Sequence, residues 1–220
     1  TQKNLIHTFL LNILYRDIIK RFNKNLEKPI KEISLYLLSN IANELSIRSL
    51  AKIIQLTNIS TVKSIVDTFE KAYLFFFINK FDFSVKKQIQ NPRELYCMDT
   101  GFVNEVGFKF SENKGKVLEN IVFIELKRRK YDIYYYSEKN ECDFLLREGA
   151  RITQAIQVCY DLNHQNKERE VKGLLEAVNQ FKLQEGTIIT FDQEEEFEQE
   201  GKKIKVIPLW KWLLIQEDNS

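Results

Sequence analysis

The chain has 220 residues, with 33 Lys and Arg against 31 Asp and Glu, 44% apolar residues and 29% charged. That composition belongs to a folded globular protein with room for one large or two small domains, and it excludes a disordered tail. It also excludes a membrane span, because no apolar run approaches the roughly 20 residues a spanning helix needs and the longest, Ala72 to Ile78, is far shorter. Asn4, His7 and Asn12 interrupt the first apolar stretch, so it does not read as a secretory signal and a cytoplasmic location is expected. Met98 is the only methionine, so residue 1 is not a natural initiator and the chain reads as a fragment. Cys97, Cys142 and Cys159 form neither an even disulfide set nor a close pair of metal ligands, and free thiols are expected.

Charge is unevenly spread. Residues 1–90 carry 14 Lys and Arg against 7 Asp and Glu, and the remainder 19 against 24. A basic first part suits an anionic partner, since each phosphate neutralised by a cationic side chain releases counterions; ordinary solvated lysine accounts for it equally well.

In chain order, Leu5, Phe9, Ile13 and Ile19 recur near helical spacing and predict an amphipathic helix over Asn4 to Phe22. A second follows Pro29, with Ile33, Leu37, Leu38, Ile41 and Leu45 as its apolar set. Ser46 and Ser60 are candidate N-caps of two short helices joined by a turn at Thr57-Asn58, a helix-turn-helix. Strand-like Leu74 to Ile78 and Phe81 to Val85 around Asn79-Lys80 predict a β-hairpin, and the sum is a winged helix. If that module reads DNA, Thr61, Lys63, Ser64 and Asp67 face the groove, and Lys71 adds positive charge on the same helix. Winged helices also dock proteins, so the fold alone does not decide.

Asn91-Pro92 breaks the pattern, and the chain divides here into residues 1–92 and 93–220. Tyr96 to Gly101 reads as a short strand ending in a turn. A helix is predicted over about Lys116 to Lys130, strands over Asp132 to Tyr136, Cys142 to Arg147 and Thr153 to Tyr160, then a helix over Lys167 to Phe181. A strand at Thr187 to Phe191, an acidic loop over Asp192 to Glu200, a strand at Ile204 to Leu209 and a last helical turn complete an α/β order with a mixed central sheet. Tyr134, Tyr135 and Tyr136 are expected in the core rather than as base-stacking platforms. Glu194, Glu195, Glu196, Glu198 and Glu200 would repel DNA.

The chemistry-bearing residues of this second part are Glu119 on the first helix, Asp143 at the start of a strand and Gln157 near the end of the next. Neighbouring strands can aim Asp143 and Gln157 at one spot, and Glu119 can reach it from the packed helix. Two carboxylates and an amide oxygen there would suit Mg²⁺. Taken singly, Glu119 is also a helix-surface acid, Asp143 a turn residue after Lys139-Asn140, and Gln157 a backbone-paired amide.

In that order, helix Glu, strand Asp and Gln-x-Cys resemble the Glu, Asp and Glu-x-Lys elements of the PD-(D/E)xK nuclease superfamily. More narrowly, Gly115-Lys116-Val117-Leu118-Glu119-Asn120, Glu141-Cys142-Asp143-Phe144 and Ile156-Gln157-Val158-Cys159-Tyr160-Asp161-Leu162 resemble the uncharacterised C-terminal region of predicted archaeal and bacterial AAA-type ATPases. The resemblance runs from Tyr15 to Leu209. It implies a winged-helix module followed by a restriction-endonuclease-like α/β domain, attached in cis to an N-terminal ATPase domain that alone would bind ATP. No Gly-x-x-x-x-Gly-Lys-Ser/Thr loop occurs in these residues. Carried over residue by residue, Glu119 and Asp143 match the metal-binding acids and Gln157 the acid that ends the central strand. The lysine position holds Cys159, and Lys116 or Lys127 is the candidate for a migrated lysine. The expected function is therefore DNA association with weak or lost Mg²⁺-dependent nuclease activity; the alternative is a non-catalytic protein-interaction scaffold.

Overall fold

A computed structural model describes residues 2–106 and 114–215. The protein is mixed α/β, with strands paired in both the parallel and the antiparallel sense. Two compact units divide it: residues up to Ile78 together with those from Pro92, and Asn79–Asn91 together with those from Lys114 onward. Among the described residues, no helix is long and apolar enough to cross a membrane.

The first unit opens with α1 (Gln2–Ile13), which runs on through a wider turn at Leu14–Ile18. After α2 (Glu27–Ser39) come β1 (Glu44–Leu45), α3 (Ile47–Ile53), α4 (Ile59–Lys71), β2 (Phe75–Lys80), β3 (Arg93–Cys97) and α6 (Thr100–Val106). Leu14, Ile18, Ile33, Leu37, Leu50, Val62, Val66 and Phe69 project from their helices into one apolar core, the burial that offsets the entropy of ordering four short helices. The cap of α4 differs from expectation: Asn58, not Ser60, accepts the amides of Ser60 and Thr61, at 3.0 and 3.3 Å. Asn is as good a cap as Ser, and standing two residues earlier it captures the orphan donors first.

The predicted hairpin is also corrected. Its return strand is β3, twelve residues beyond β2, and not Phe81 to Val85. β2 runs straight through the expected turn, and Asn79 and Lys80 pair in parallel with Tyr134 and Tyr135. Phe81 then sits edge-on to Tyr134 and Phe181, with ring centroids 5.6 and 5.0 Å away, and that aromatic packing overrides the local strand propensity. The Ser84 amide donates to Asp82 Oδ1 at 2.8 Å and opens α5 (Val85–Gln90). β3 pairs antiparallel with β1, Glu44 opposite Glu94 and Leu45 opposite Arg93. It therefore lies in the first unit, although the sequence division places residue 93 in the second.

The second unit runs α7 (Lys114–Arg128), β4 (Asp132–Ser137), β5 (Glu141–Glu148), β6 (Arg151–Val158), α8 (Lys167–Gln180), β7 (Glu185–Thr190), β8 (Glu195–Gln199), β9 (Lys202–Pro208) and α9 (Leu209–Leu214). β4, β5 and β6 form an antiparallel meander, while β6–β7 and β7–β9 are parallel. The three consecutive tyrosines of β4 are buried, as expected. All three cysteines are buried thiols outside any disulfide. The expected acidic loop is in part a strand: in the β8–β9 register Glu196 faces Lys205 and Glu198 faces Lys203, so opposite charges offset a sequence poor in strand formers.

α8 lies unusually close to the sheet. A Cβ on Gly173 would stand 1.9 Å from the carbonyl oxygen of Glu141, and one on Gly186 would stand 2.8 Å from the Leu174 side chain. Only residues without a side chain fit at these two places. Gly173→Ala is therefore expected to lose about 2–3 kcal/mol of unfolding free energy in urea titration, although helix propensity by itself would gain about 1 kcal/mol. An unchanged or raised midpoint would show that the helix can withdraw freely.

Candidate functional site

The β5–β6 register sets Phe144 opposite Ile156 and Leu145 opposite Ala155. Just beyond the last of these pairs, where the β4–β5 ladder is irregular, lie Asp143 on β5 and Gln157 on β6. Asp143 Oδ2 accepts the Val158 amide at 2.7 Å, which fixes the carboxylate at this crossing. Cys159, two residues beyond Gln157, falls on the same face of the chain and is buried.

α8 supplies what the sequence reading missed. Glu170, in its first turn, is buried, and its Oε2 accepts from Gln157 Nε2 at 2.8 Å. Its Oε1 accepts from Arg169 Nε at 3.1 Å and also from Nη2 of that guanidinium. Three residues past Gly173, Glu176 accepts from the Lys139 and Asn140 amides at 3.1 Å each, from Asn140 Nδ2 at 2.6 Å and from the Tyr136 hydroxyl at 3.1 Å. Burial acts to raise the Glu176 carboxyl, and those donors outweigh it, so it lies below the usual range. The two acids, one turn to either side of Gly173, thus hold the Gln157 end of β6 and the β4–β5 turn. In sequence the only signal for them is helical spacing: Glu170, Gly173 and Glu176 recur every third residue on one face.

The charge balance at the crossing is unfavourable. Burial first, and then the negative charge of Glu119, push the Asp143 carboxyl well above the usual carboxylate range; Glu170 and Glu141 add to this, and the Val158 N–H works against it. Glu119 on α7 is half-buried and near enough to be the leading charge felt by Asp143. Cys159 supplies no cation, since a thiol is neutral or anionic; burial and then the Glu170 charge push it up to about 11, which favours the neutral form. Its Sγ donates to the Asp161 carbonyl at 3.2 Å. Of the lysines considered as migrants, Lys116 stands on α7 three residues before Glu119. Lys127 stands eight residues after it, about 12 Å further along the helix axis. Arg169 on α8 is a cation within electrostatic range of Asp143 and Cys159.

The carbonyl oxygen of Gln157 is buried and meets no hydrogen-bond donor. Together with an overloaded Asp143, this unpaired oxygen is what a divalent cation would relieve, so the residues fit one. Among the described residues, no three His, Cys, Asp or Glu side chains gather as a ready cage. Such an ion would take Asp143 and Gln157 from the protein and its other oxygens from water and phosphate, the sparse mode typical of Mg²⁺. The proposed DNA-facing residues lie on α4 in the first unit: Lys63, Ser64 and Lys71 are exposed, while Thr61 and Asp67 are half-buried.

The raised Asp143 carboxyl gives a signed prediction. A carboxyl raised on folding contributes its stability in full below the unfolded value of about 3.9, and loses it as pH climbs through the folded value. Asp143→Asn keeps an acceptor for Val158 and removes the charge. In metal-free buffer it is expected to melt higher than wild type at pH 7.5, with the difference vanishing at pH 4; equal melting temperatures at both pH values would refute the frustrated charge.

Residues 1–113 match the model of a Domain of unknown function (DUF8612), and residues 114–212 that of a second Domain of unknown function (DUF4143). An uncharacterised protein of Methanocaldococcus jannaschii is 36% identical, over 97% of this chain and 50% of its own length. An uncharacterised protein of Haemophilus influenzae is 26% identical, over 92% of this chain and 50% of its own. The chain thus spans about half the length of the curated relatives it matches.

Proposed function

We propose a function from the premise that the chain belongs to the family described as Domain of unknown function (DUF8612): it is a DNA-associated accessory region of a longer AAA-type ATPase, carrying a nuclease-like domain with a degenerate centre. Two features of chain order support the module assignments. The succession α2-β1-α3-α4-β2-β3, with β1 against β3, is that expected of a winged helix, and α7-β4-β5-β6-α8-β7 that of a restriction-endonuclease-like core. ATP enters this reading only through a separate ATPase domain in cis.

The observation that supports the reading is the Asp143 carboxylate held on the Val158 amide, one residue from Gln157, whose buried carbonyl oxygen meets no donor, with a neutral thiol at Cys159. Asp143, helped by Glu119, would hold Mg²⁺ with the Gln157 oxygen beside it, and the ion would supply charge stabilisation for a phosphodiester. Without the ammonium, less charge is offset when a water attacks, so cutting is weak or lost and binding remains. In a second reading, favoured by the same neutral Cys159, the centre is purely architectural and the chain is a scaffold that docks a protein partner onto the ATPase.

Fluorescence anisotropy with labelled duplex and branched DNA separates the two. The DNA reading expects binding at 50 mM salt whose log–log salt slope falls by about 1 for each phosphate contact removed, hence by about 2 in a Lys63→Ala/Lys71→Ala variant. Undetectable binding at low salt leaves the scaffold. Any cutting seen with Mn²⁺ should disappear in Asp143→Asn, and cutting that survives would place the chemistry elsewhere.

A further inference from the structure

The amide of Gln157 is held in one orientation at a cost. Its Nε2 donates to Glu170, while its Oε1 is buried without a donor, in a residue only 6% exposed. A buried carbonyl left without a donor is destabilising, so something must prevent the amide from turning over. Glu170 does. Its Oε1 takes the guanidinium bonds of Arg169, and its Oε2 faces the amide as the acceptor of Gln157 Nε2. Only the NH₂ side of the amide can face it; rotating Gln157 by half a turn would press two acceptors together.

We propose that Glu170 is a positioning residue: it locks the Gln157 amide so that the carbonyl oxygen is presented as a neutral oxygen ligand for a divalent cation. This rests on the cation-binding reading of the site given above. Hard cations accept amide oxygens and carboxylates alike, and an amide adds coordination without adding to the repulsion already present among Asp143, Glu119 and Glu170. The reach of Glu170 depends on Gly173, one turn later, which lets α8 approach β5 closely enough for a glutamate in its first turn to meet Gln157. Arg169 holds the other carboxylate oxygen from the solvent side, where its own side chain is 81% exposed.

Mn²⁺ titration of the whole chain, followed by electron paramagnetic resonance and calorimetry, tests this without reference to cutting. Wild type is expected to bind Mn²⁺, and Glu170→Gln to weaken that binding by about tenfold or more, as loss of an orienting partner does at other metal sites. Glutamine keeps the size of the side chain but can donate as well as accept, so it no longer selects one face of the Gln157 amide. The metal-free urea midpoint is read in parallel. Gln157→Leu should weaken Mn²⁺ to the same extent, and adding Glu170→Gln to it should change nothing more, because the glutamate acts through the amide. Wild-type affinity in Glu170→Gln, or an additive loss in the double variant, overturns the positioning role while leaving the cation site in place. No Mn²⁺ binding by wild type overturns the cation reading itself. Should Glu170→Gln unfold, Gln157→Leu alone decides, and unchanged affinity there removes the ligand and its positioning partner together.

Discussion

The second unit depends on how near one helix comes to one strand. Gly173 brings α8 to within a carbonyl's reach of β5, and from that approach follow the two anchoring acids at three-residue spacing. Glu176 fastens the β4–β5 turn, and Glu170 meets the end of β6. A bulkier residue in the middle would lift both acids away from the sheet. Leu174 seated on Gly186 repeats the device one strand over, so the helix is keyed at two points, which is how close packing converts the absence of a side chain into a fixed separation.

That separation has an electrostatic price. Bringing Glu170 in places a further anion near Asp143, which already feels Glu119 and Glu141, in a region where burial weakens screening. Arg169 answers part of this by pairing with Glu170. Cys159, small and buried, turns its thiol to a backbone carbonyl.

Much of this was legible in the sequence, and for identifiable reasons. Helices and strands of the second unit follow from strong periodicity, and strand spacing puts Asp143 near the start of β5 and Gln157 near the end of β6. Glu170 was not legible, because a glutamate in the first turn of a helix is ordinary solvent-facing chemistry unless the glycine after it is read as a close approach. The hairpin failed for a different reason: Phe81 and Phe83 satisfy a strand pattern locally, but their rings pack against Phe181, a hundred residues away. The cap of α4 shifted by two residues because two good capping side chains compete within one turn and only geometry chooses between them.

The strand β8 has a further consequence. It closes the sheet on one side and is almost wholly solvent-facing, yet its residues are chiefly glutamates, with Lys203 bonded to Glu196 at 2.8 Å and Lys167 to Glu195 at 3.0 Å. Open backbone edges invite a foreign chain to add itself as another strand, and a fringe of like charges turns such a visitor away. The glutamates of β8, set along the last strand of the sheet, are side chains of the kind that leave such an edge unattractive to a further copy of the molecule.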